Sequence, residues 1–261
     1  MSICGAVKTD TGKVRVKNED SSGFFPEAAF YIVADGMGGH LGGERASALA
    51  VETMHGVLQE TEGEDLTPIT TENGWSSVAG RRLFLAIQGA NNKVFEMSQQ
   101  DPALNGMGTT VAAVLFDEHE SVAGICHVGD SRVYRVRDGT IELLTEDHSL
   151  VQQLLREGKI GPTEVKTFPH RHVLTQAVGV SPLVQPSVRL ERPQSGDIYL
   201  LCSDGIHGVV EDSDMLRIIN ETAPDFEKSC DALVNLANER GGRDNSTIII
   251  LSYIEDPTVA G

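Results

Sequence analysis

Phe30-Tyr31-Ile32-Val33-Ala34-Asp35-Gly36-Met37-Gly38-Gly39-His40 sets the pattern for the whole chain. A run of strand type ends on Asp35, and glycines crowd the positions from Gly36 to Gly43. Helical spacing then takes over across 44–60, where Ala46, Leu49, Ala50, Met54, Val57 and Leu58 recur on one face. Asp35 therefore stands where a buried strand surfaces into a turn. Glycine at that point lets a backbone carbonyl approach a ligand closely. A carboxylate beside a bare carbonyl suits a hard cation such as Mg²⁺ or Mn²⁺.

The same pattern returns along the chain. Residues 197–202 form an apolar run that ends in Ser203-Asp204-Gly205. Gly129-Asp130-Ser131 lies between two strand-like runs, and Gly241-Gly242-Arg243-Asp244 precedes the final one. Nearer the N-terminus, Arg15 is followed four residues later by Glu19-Asp20, in a stretch that reads as a loop. Strands are expected at 3–7, 30–34, 111–116, 121–128, 132–136, 141–144, 173–178, 188–192, 197–202 and 248–253. Helices are expected at 44–60, 76–100, 150–157, 212–222 and 226–240. Short strands in succession indicate antiparallel pairing, with Gly129-Asp130-Ser131 expected at a tip of one meander. Strand blocks alternating with helix pairs give an α+β fold with the helices outside. No composition shift divides the chain, so one domain is expected over 1–255. It carries a flap-like excursion near 150–172 and ends in a loose tail at 256–261.

A net charge of −17 argues against nucleic acid and anionic membranes as partners and suits a site that gathers carboxylates around cations. Cys4, Cys126, Cys202 and Cys230 form no Cys-x-x-Cys pair and read as reduced residues. With no leader-like segment and no long apolar span, the expected setting is cytoplasmic.

Asp35, Asp130, Asp204 and Asp244 all lie at strand margins beside glycine or a small polar residue, and Glu19 and Asp20 could join them. Carboxylates brought together raise one another's pKa unless cations neutralise them. A pair of ions is a natural resolution, and Arg15 offers a planar fork suited to phosphate.

These motifs carry a resemblance. Arg15-Val16-Lys17-Asn18-Glu19-Asp20, Ala34-Asp35-Gly36-Met37-Gly38-Gly39, Gly108-Thr109-Thr110, Gly129-Asp130-Ser131-Arg132, Asp147-His148-Ser149, Ser203-Asp204-Gly205 and Gly242-Arg243-Asp244-Asn245-Ser246-Thr247 occur in this order over almost the whole length. In them the chain resembles the metal-dependent serine/threonine phosphatases of the protein phosphatase 2C (PPM, PP2C) type, in their compact bacterial form. The resemblance implies a sandwich of two antiparallel β-sheets flanked by pairs of α-helices. It implies hydrolysis of phosphoserine and phosphothreonine on proteins by a water that two Mn²⁺ or Mg²⁺ ions activate. Asp35 would bridge the ions, with the Gly36 carbonyl and Glu19 on one and Asp204 and Asp244 on the other. Asp20 would orient the water, Arg15 would clamp the substrate phosphate, and Thr110 and Asn245 would support the site. The excursion at 158–172 would be the family's variable flap. The implied partner is a phosphoprotein, a serine/threonine kinase or one of its targets, met by a monomer.

Two departures from the family pattern matter. Some relatives carry a histidine directly after the metal-binding Asp-Gly, proposed as general acid; here Met37 stands there, and His40 is not the same position. Many relatives carry an aspartate four residues after the aspartate of Ser-Asp-Gly that helps hold a third ion; here that position is Gly208. A third site built on Asp130 and Asp204 is therefore expected to be weak or empty, with adjacent His207 exposed and unliganded. Rival readings fit worse. Ser131 as an esterase nucleophile lacks the motif position and the partner histidine, and no Gly-x-x-x-x-Gly-Lys run supports a nucleotide loop. A catalytically dead relative that only binds phosphoproteins fits poorly with intact Arg15, Asp35, Asp204 and Asp244.

Overall fold

The computed structural model describes residues 1–38, 42–64, 66 and 77–255. Gly39, His40, most of the 61–73 connection and the expected tail at 256–261 lie outside the described residues. In chain order the elements are β1 (Ser2–Asp10), β2 (Asp20–Phe25), β3 (Phe30–Met37), α1 (Gly42–Glu60), α2 (Val78–Gln100), β4 (Gly108–Thr109), β5 (Val111–Asp117), β6 (Val122–Val128), β7 (Arg132–Arg137), β8 (Thr140–Leu143), α3 (Leu150–Arg156), β9 (Ser187–Glu191), β10 (Ile198–Cys202), α4 (Asp204–His207), α5 (Asp212–Thr222), α6 (Phe226–Glu239) and β11 (Ser246–Ile254).

The strands make two antiparallel sheets. One runs β1-β11-β10-β7-β8, and the other β2-β3-β5-β6-β9, with β4 on the end of β3. Their central strands are apolar on both faces because each face meets a different layer. In β5, Val111, Ala113 and Leu115 pack beneath α1 and α2, while Ala112, Val114 and Phe116 face the other sheet. In β11, Ile248 and Ile250 pack under α5 and α6, while Ile249, Leu251 and Tyr253 face inward. Between the sheets, Phe116 meets Tyr31, Tyr199 and Tyr253 with ring centroids 6.2, 5.3 and 5.7 Å apart. Among the described residues no helix is long and apolar enough to cross a membrane.

Three expectations are corrected. Residues 20–25 are not part of a loop but the edge strand β2, paired with β3. Phe24 and Phe25 hold this strand, Phe24 edge-on to Tyr31 and Phe25 stacked on Phe30 and His55. Gly129-Asp130-Ser131 is not the tip of a meander. Strand β6 already has β5 and β9 on its two sides, so the chain crosses to the other sheet and lays β7 against β10. Residues 173–178 form no strand. They make single bridges from Leu174 to Ser149 and from Val178 to Thr109, two different partners that cannot seed one ladder. The short helix α4 was not expected at all.

The layer between the sheets fixes their relative placement, so Phe116→Ala should lower the unfolding free energy by about 3–5 kcal/mol, as measured by urea denaturation. A loss near zero would show that this layer does not hold the sandwich.

Candidate metal centre

Sheet register brings the acidic residues together. In the β2–β3 ladder Asp20 lies opposite Asp35, and the Gly36 amide donates to the Glu19 carbonyl at 3.1 Å. A side chain at Gly36 would run into the Gly43 carbonyl oxygen at the start of α1, so only glycine fits between the two turns. Asp130 arrives on the crossing between sheets, Asp204 at the end of β10 and Asp244 just before β11.

Buried hydroxyls and one amide hold this arrangement. The Asp35 amide donates to Thr110 Oγ1 at 3.0 Å, and the Thr110 amide and Thr109 Oγ1 donate to the Asp35 carbonyl at 2.8 and 2.9 Å. Thr110 Oγ1 also bonds Ser131 Oγ at 2.6 Å. Ser131 is thus committed to the frame, and no nucleophile is made of it. Ser203 and Thr247 hydroxyls donate to Asp20 Oδ2 at 2.8 and 2.7 Å. Asn245 accepts from the Glu19 amide at 2.8 Å and donates to the Thr11 and Lys17 carbonyls at 2.9 Å each, closing the 11–19 loop over the centre.

The electrostatics are those of crowded carboxylates. Burial first, then Asp20, Asp204, Asp130 and Asp244, raise the Asp35 carboxyl well above the usual range. Burial raises Asp20 to about 6 against the two hydroxyls that favour its charged form. Burial and Asp204 raise Asp130 to about 7. Asp204 is raised by burial and by Asp244, while a hydrogen bond with Asp35 works in the other direction. Arg15 is the cation in contact with the group, Nη2 donating to Asp244 Oδ2 at 2.7 Å.

Among the described residues, no three His, Cys, Asp or Glu side chains stand as a ready-made ligand shell. The donor set nonetheless fits hard cations. It is all oxygen, and Asp20 Oδ1 and Asp204 Oδ1 are buried without a hydrogen-bond partner. A buried acceptor left open in this way costs free energy unless a proton or cation meets it.

Behind the centre, Arg132 grips Asp147 with two bonds of 2.9 and 2.8 Å, and the His148 amide donates to the Gly129 carbonyl at 2.8 Å. Ser149 caps α3 by accepting from the Gln152 amide. His207 is not exposed as expected; its Nε2 is bonded to the Asp130 carbonyl oxygen at 2.9 Å, and burial lowers it to about 3. Gly208 needs no positive φ, having −70°, but a side chain there would press on the Asp204 carbonyl oxygen at 2.6 Å. An aspartate at 208 would therefore disturb Asp204 itself and is a poor probe of a third ion. The fold also brings His172 within electrostatic reach of Asp204.

The family model described as "Protein phosphatase 2C" matches residues 14–246. The serine/threonine protein phosphatase PstP of Mycobacterium tuberculosis is 34% identical over 250 residues, covering 96% of this chain and 45% of that protein. The chain thus spans less than half the length of that relative. The serine/threonine phosphatase stp of Listeria monocytogenes is 36% identical over 247 residues, covering 94% of this chain and 93% of that protein. The crystal structure of the PstP catalytic domain in complex with two manganese ions superposes with a TM-score of 0.82 at 32% identity, covering 97% of this chain and 99% of that one.

The shifted groups set a pH signature for the metal-free protein. Carboxyls whose folded pKa is raised hold more protons folded than unfolded, so their contribution is present at low pH and lost as pH rises through about 6 for Asp20 and about 7 for Asp130. Burial lowers His148 to about 4, so its contribution is present above about 6.5 and lost as pH falls, as for His207. In chelator the melting temperature should therefore fall from about pH 6.5 to about pH 7.5, across the upper part of the Asp130 titration and above the range where the histidines change charge, and saturating Mn²⁺ should abolish the fall. An equal slope with and without Mn²⁺ in a thermal-shift series would show that these carboxylates do not meet the ion.

Proposed function

The chain belongs to the protein phosphatase 2C family, and from that membership we propose that it is a metal-dependent phosphatase of phosphoserine and phosphothreonine on proteins, acting as a monomer against a serine/threonine kinase. The observation that carries the reading is the convergence of Asp20, Asp35, Asp130, Asp204 and Asp244 from both sheets beside Arg15, with the Asp20, Asp35, Asp130 and Asp204 carboxyls raised and two buried, open carboxylate oxygens.

Asp35 and Asp204, with the Gly36 carbonyl, Glu19 and Asp244, would hold two Mn²⁺ or Mg²⁺ ions, and Asp130 would offer a weak third position. Bound ions supply Lewis acidity that makes water a nucleophile at neutral pH and stabilises charge on a phosphoryl group. Asp20 is fixed through Oδ2 by Ser203 and Thr247, which leaves Oδ1 as an acceptor for a proton of the attacking water. Arg15 is half-exposed at the margin of the centre, and its pairing with Asp244 is exchangeable. Once Asp244 is otherwise neutralised, the guanidinium is free to take two phosphate oxygens of the substrate. Met37 has no proton to give, so the residue after Asp35-Gly36 plays no acid role here.

Asp35→Asn should reduce Mn²⁺-dependent turnover of a phosphothreonine peptide by orders of magnitude. It should also raise the melting temperature of the metal-free protein at pH 8, because a charge is removed from among like charges. Near-normal turnover in this variant would sink the two-ion reading. Arg15→Ala should raise KM for a phosphopeptide and leave the melting temperature nearly unchanged, since an exposed ion pair contributes little to stability. An unchanged KM with a collapsed melting temperature would make Arg15 a structural residue instead.

A further inference from the structure

Lys13-Val14-Arg15-Val16-Lys17 alternates basic and apolar residues, and all five are exposed, Val14 at 64% and Val16 at 96%. The chain carries a net charge of −17, yet residues 13–17 hold three cations and no acid. The segment is also held in place. The Lys13 and Val14 amides donate to the Gly242 carbonyl at 2.7 and 3.2 Å, and Asn245 takes hold of the Thr11 and Lys17 carbonyls. That facing loop adds Arg243, exposed and next to Asp244 in the chain. Among the described residues Lys13 and Arg243 enter no ion pair, whereas Arg132, Arg135 and Arg137 are each matched to a carboxylate.

A lone exposed valine or lysine calls for no explanation. Two open valines between cations, on backbone clamped at both ends beside the metal centre, are a surface already arranged for contact. Ordering that backbone on binding would cost little, because the fold has ordered it beforehand. Resting on the phosphatase reading, the geometry points to Lys13, Lys17 and Arg243, with Val14 and Val16 between them, as a docking strip for an anionic peptide segment. The segment flanks the residue whose phosphate enters the centre. Its charge comes from acidic side chains, and apolar side chains of the same segment lie against the valines. Arg15 belongs to the centre and the other cations to the strip, so recognition of the flanking sequence is separable from hydrolysis.

The test uses the full chain with Mn²⁺, p-nitrophenyl phosphate, and three phosphothreonine peptides of one core sequence. Their flanks carry glutamates, glutamines, or glutamines with one phosphoserine. The wild type should turn over an anionic-flanked peptide with kcat/KM roughly tenfold above the glutamine-flanked one at low salt. The gap should close near 1 M salt, where charges are screened within about 3 Å. A larger gain from phosphoserine than from glutamate overturns the assignment to acidic side chains. The double variant Lys13→Glu/Arg243→Glu should bring the peptides to parity and leave p-nitrophenyl phosphate turnover unchanged. The milder Lys13→Ala/Arg243→Ala should fall between. Parity of all three peptides in the wild type, or a preference that survives the charge reversal, overturns the strip. Absence of any Mn²⁺-dependent turnover of p-nitrophenyl phosphate overturns the phosphatase reading itself, and the strip with it.

Discussion

Repulsion among buried carboxylates is the constraint around which this molecule is built. Asp35 feels Asp20, Asp204, Asp130 and Asp244 together. Two unit charges 4 Å apart cost about 4 kcal/mol at an effective dielectric of 20, so several such pairs rival the whole stability of a domain. A cluster like this persists only if the surrounding structure holds its backbone whatever the charges do. The three apolar layers do that. They keep the ends of β3, β10 and β11 fixed, and the carboxylates must then meet their charge with protons or with cations.

The frame next to the cluster is polar, but it is largely engaged. Thr109, Thr110, Ser131, Ser203, Thr247 and Asn245 are all buried and all bonded. Their bonds run between sheets: Ser131 of the crossing meets Thr110 at the start of β5, and Ser203 after β10 meets Asp20 at the start of β2. A satisfied buried network has little freedom to rearrange. Within the cluster, Asp20 Oδ1 and Asp204 Oδ1 are left open, so unmet hydrogen-bonding capacity sits where a cation can use it, and Ser246 Oγ beside Asn245 is open as well.

Much of this was legible before the fold was seen, and the reason is local. Asp35 and Asp204 each end an apolar run and open into glycine, a pattern whose meaning needs no partner strand. Strand β2 was not legible because it is an edge strand that opens with Asp20-Ser21-Ser22-Gly23, and its two phenylalanines gain meaning only against Tyr31, Phe30 and His55. The crossing at 129–131 was hidden for a different cause. Antiparallel hairpins and a change of sheet look alike in one dimension, and only the occupation of both edges of β6 decides between them. His207 shows the same limit at the scale of one side chain. Its sequence neighbours suggest exposure, whereas the Asp130 carbonyl that holds it comes from 77 residues away.

The position of Asn245 joins these levels. One side chain fixes the Glu19 amide, which begins β2, and the Thr11 and Lys17 carbonyls, which bound the basic loop. Its own backbone amide donates to Asp244 Oδ1 at 2.9 Å. The carboxylate that Arg15 touches, the strand that carries Asp20 and the loop that carries Arg15 therefore share one residue, Asn245, as their common support. Arg15 itself spans only from its loop to Asp244, an exposed and exchangeable pair, so it can leave that carboxylate without loosening the loop. Rigidity of the support and mobility of the guanidinium are thus separate properties. A centre whose charges change between ion-free and ion-bound states needs both, a fixed set of oxygens and one cation able to change partner.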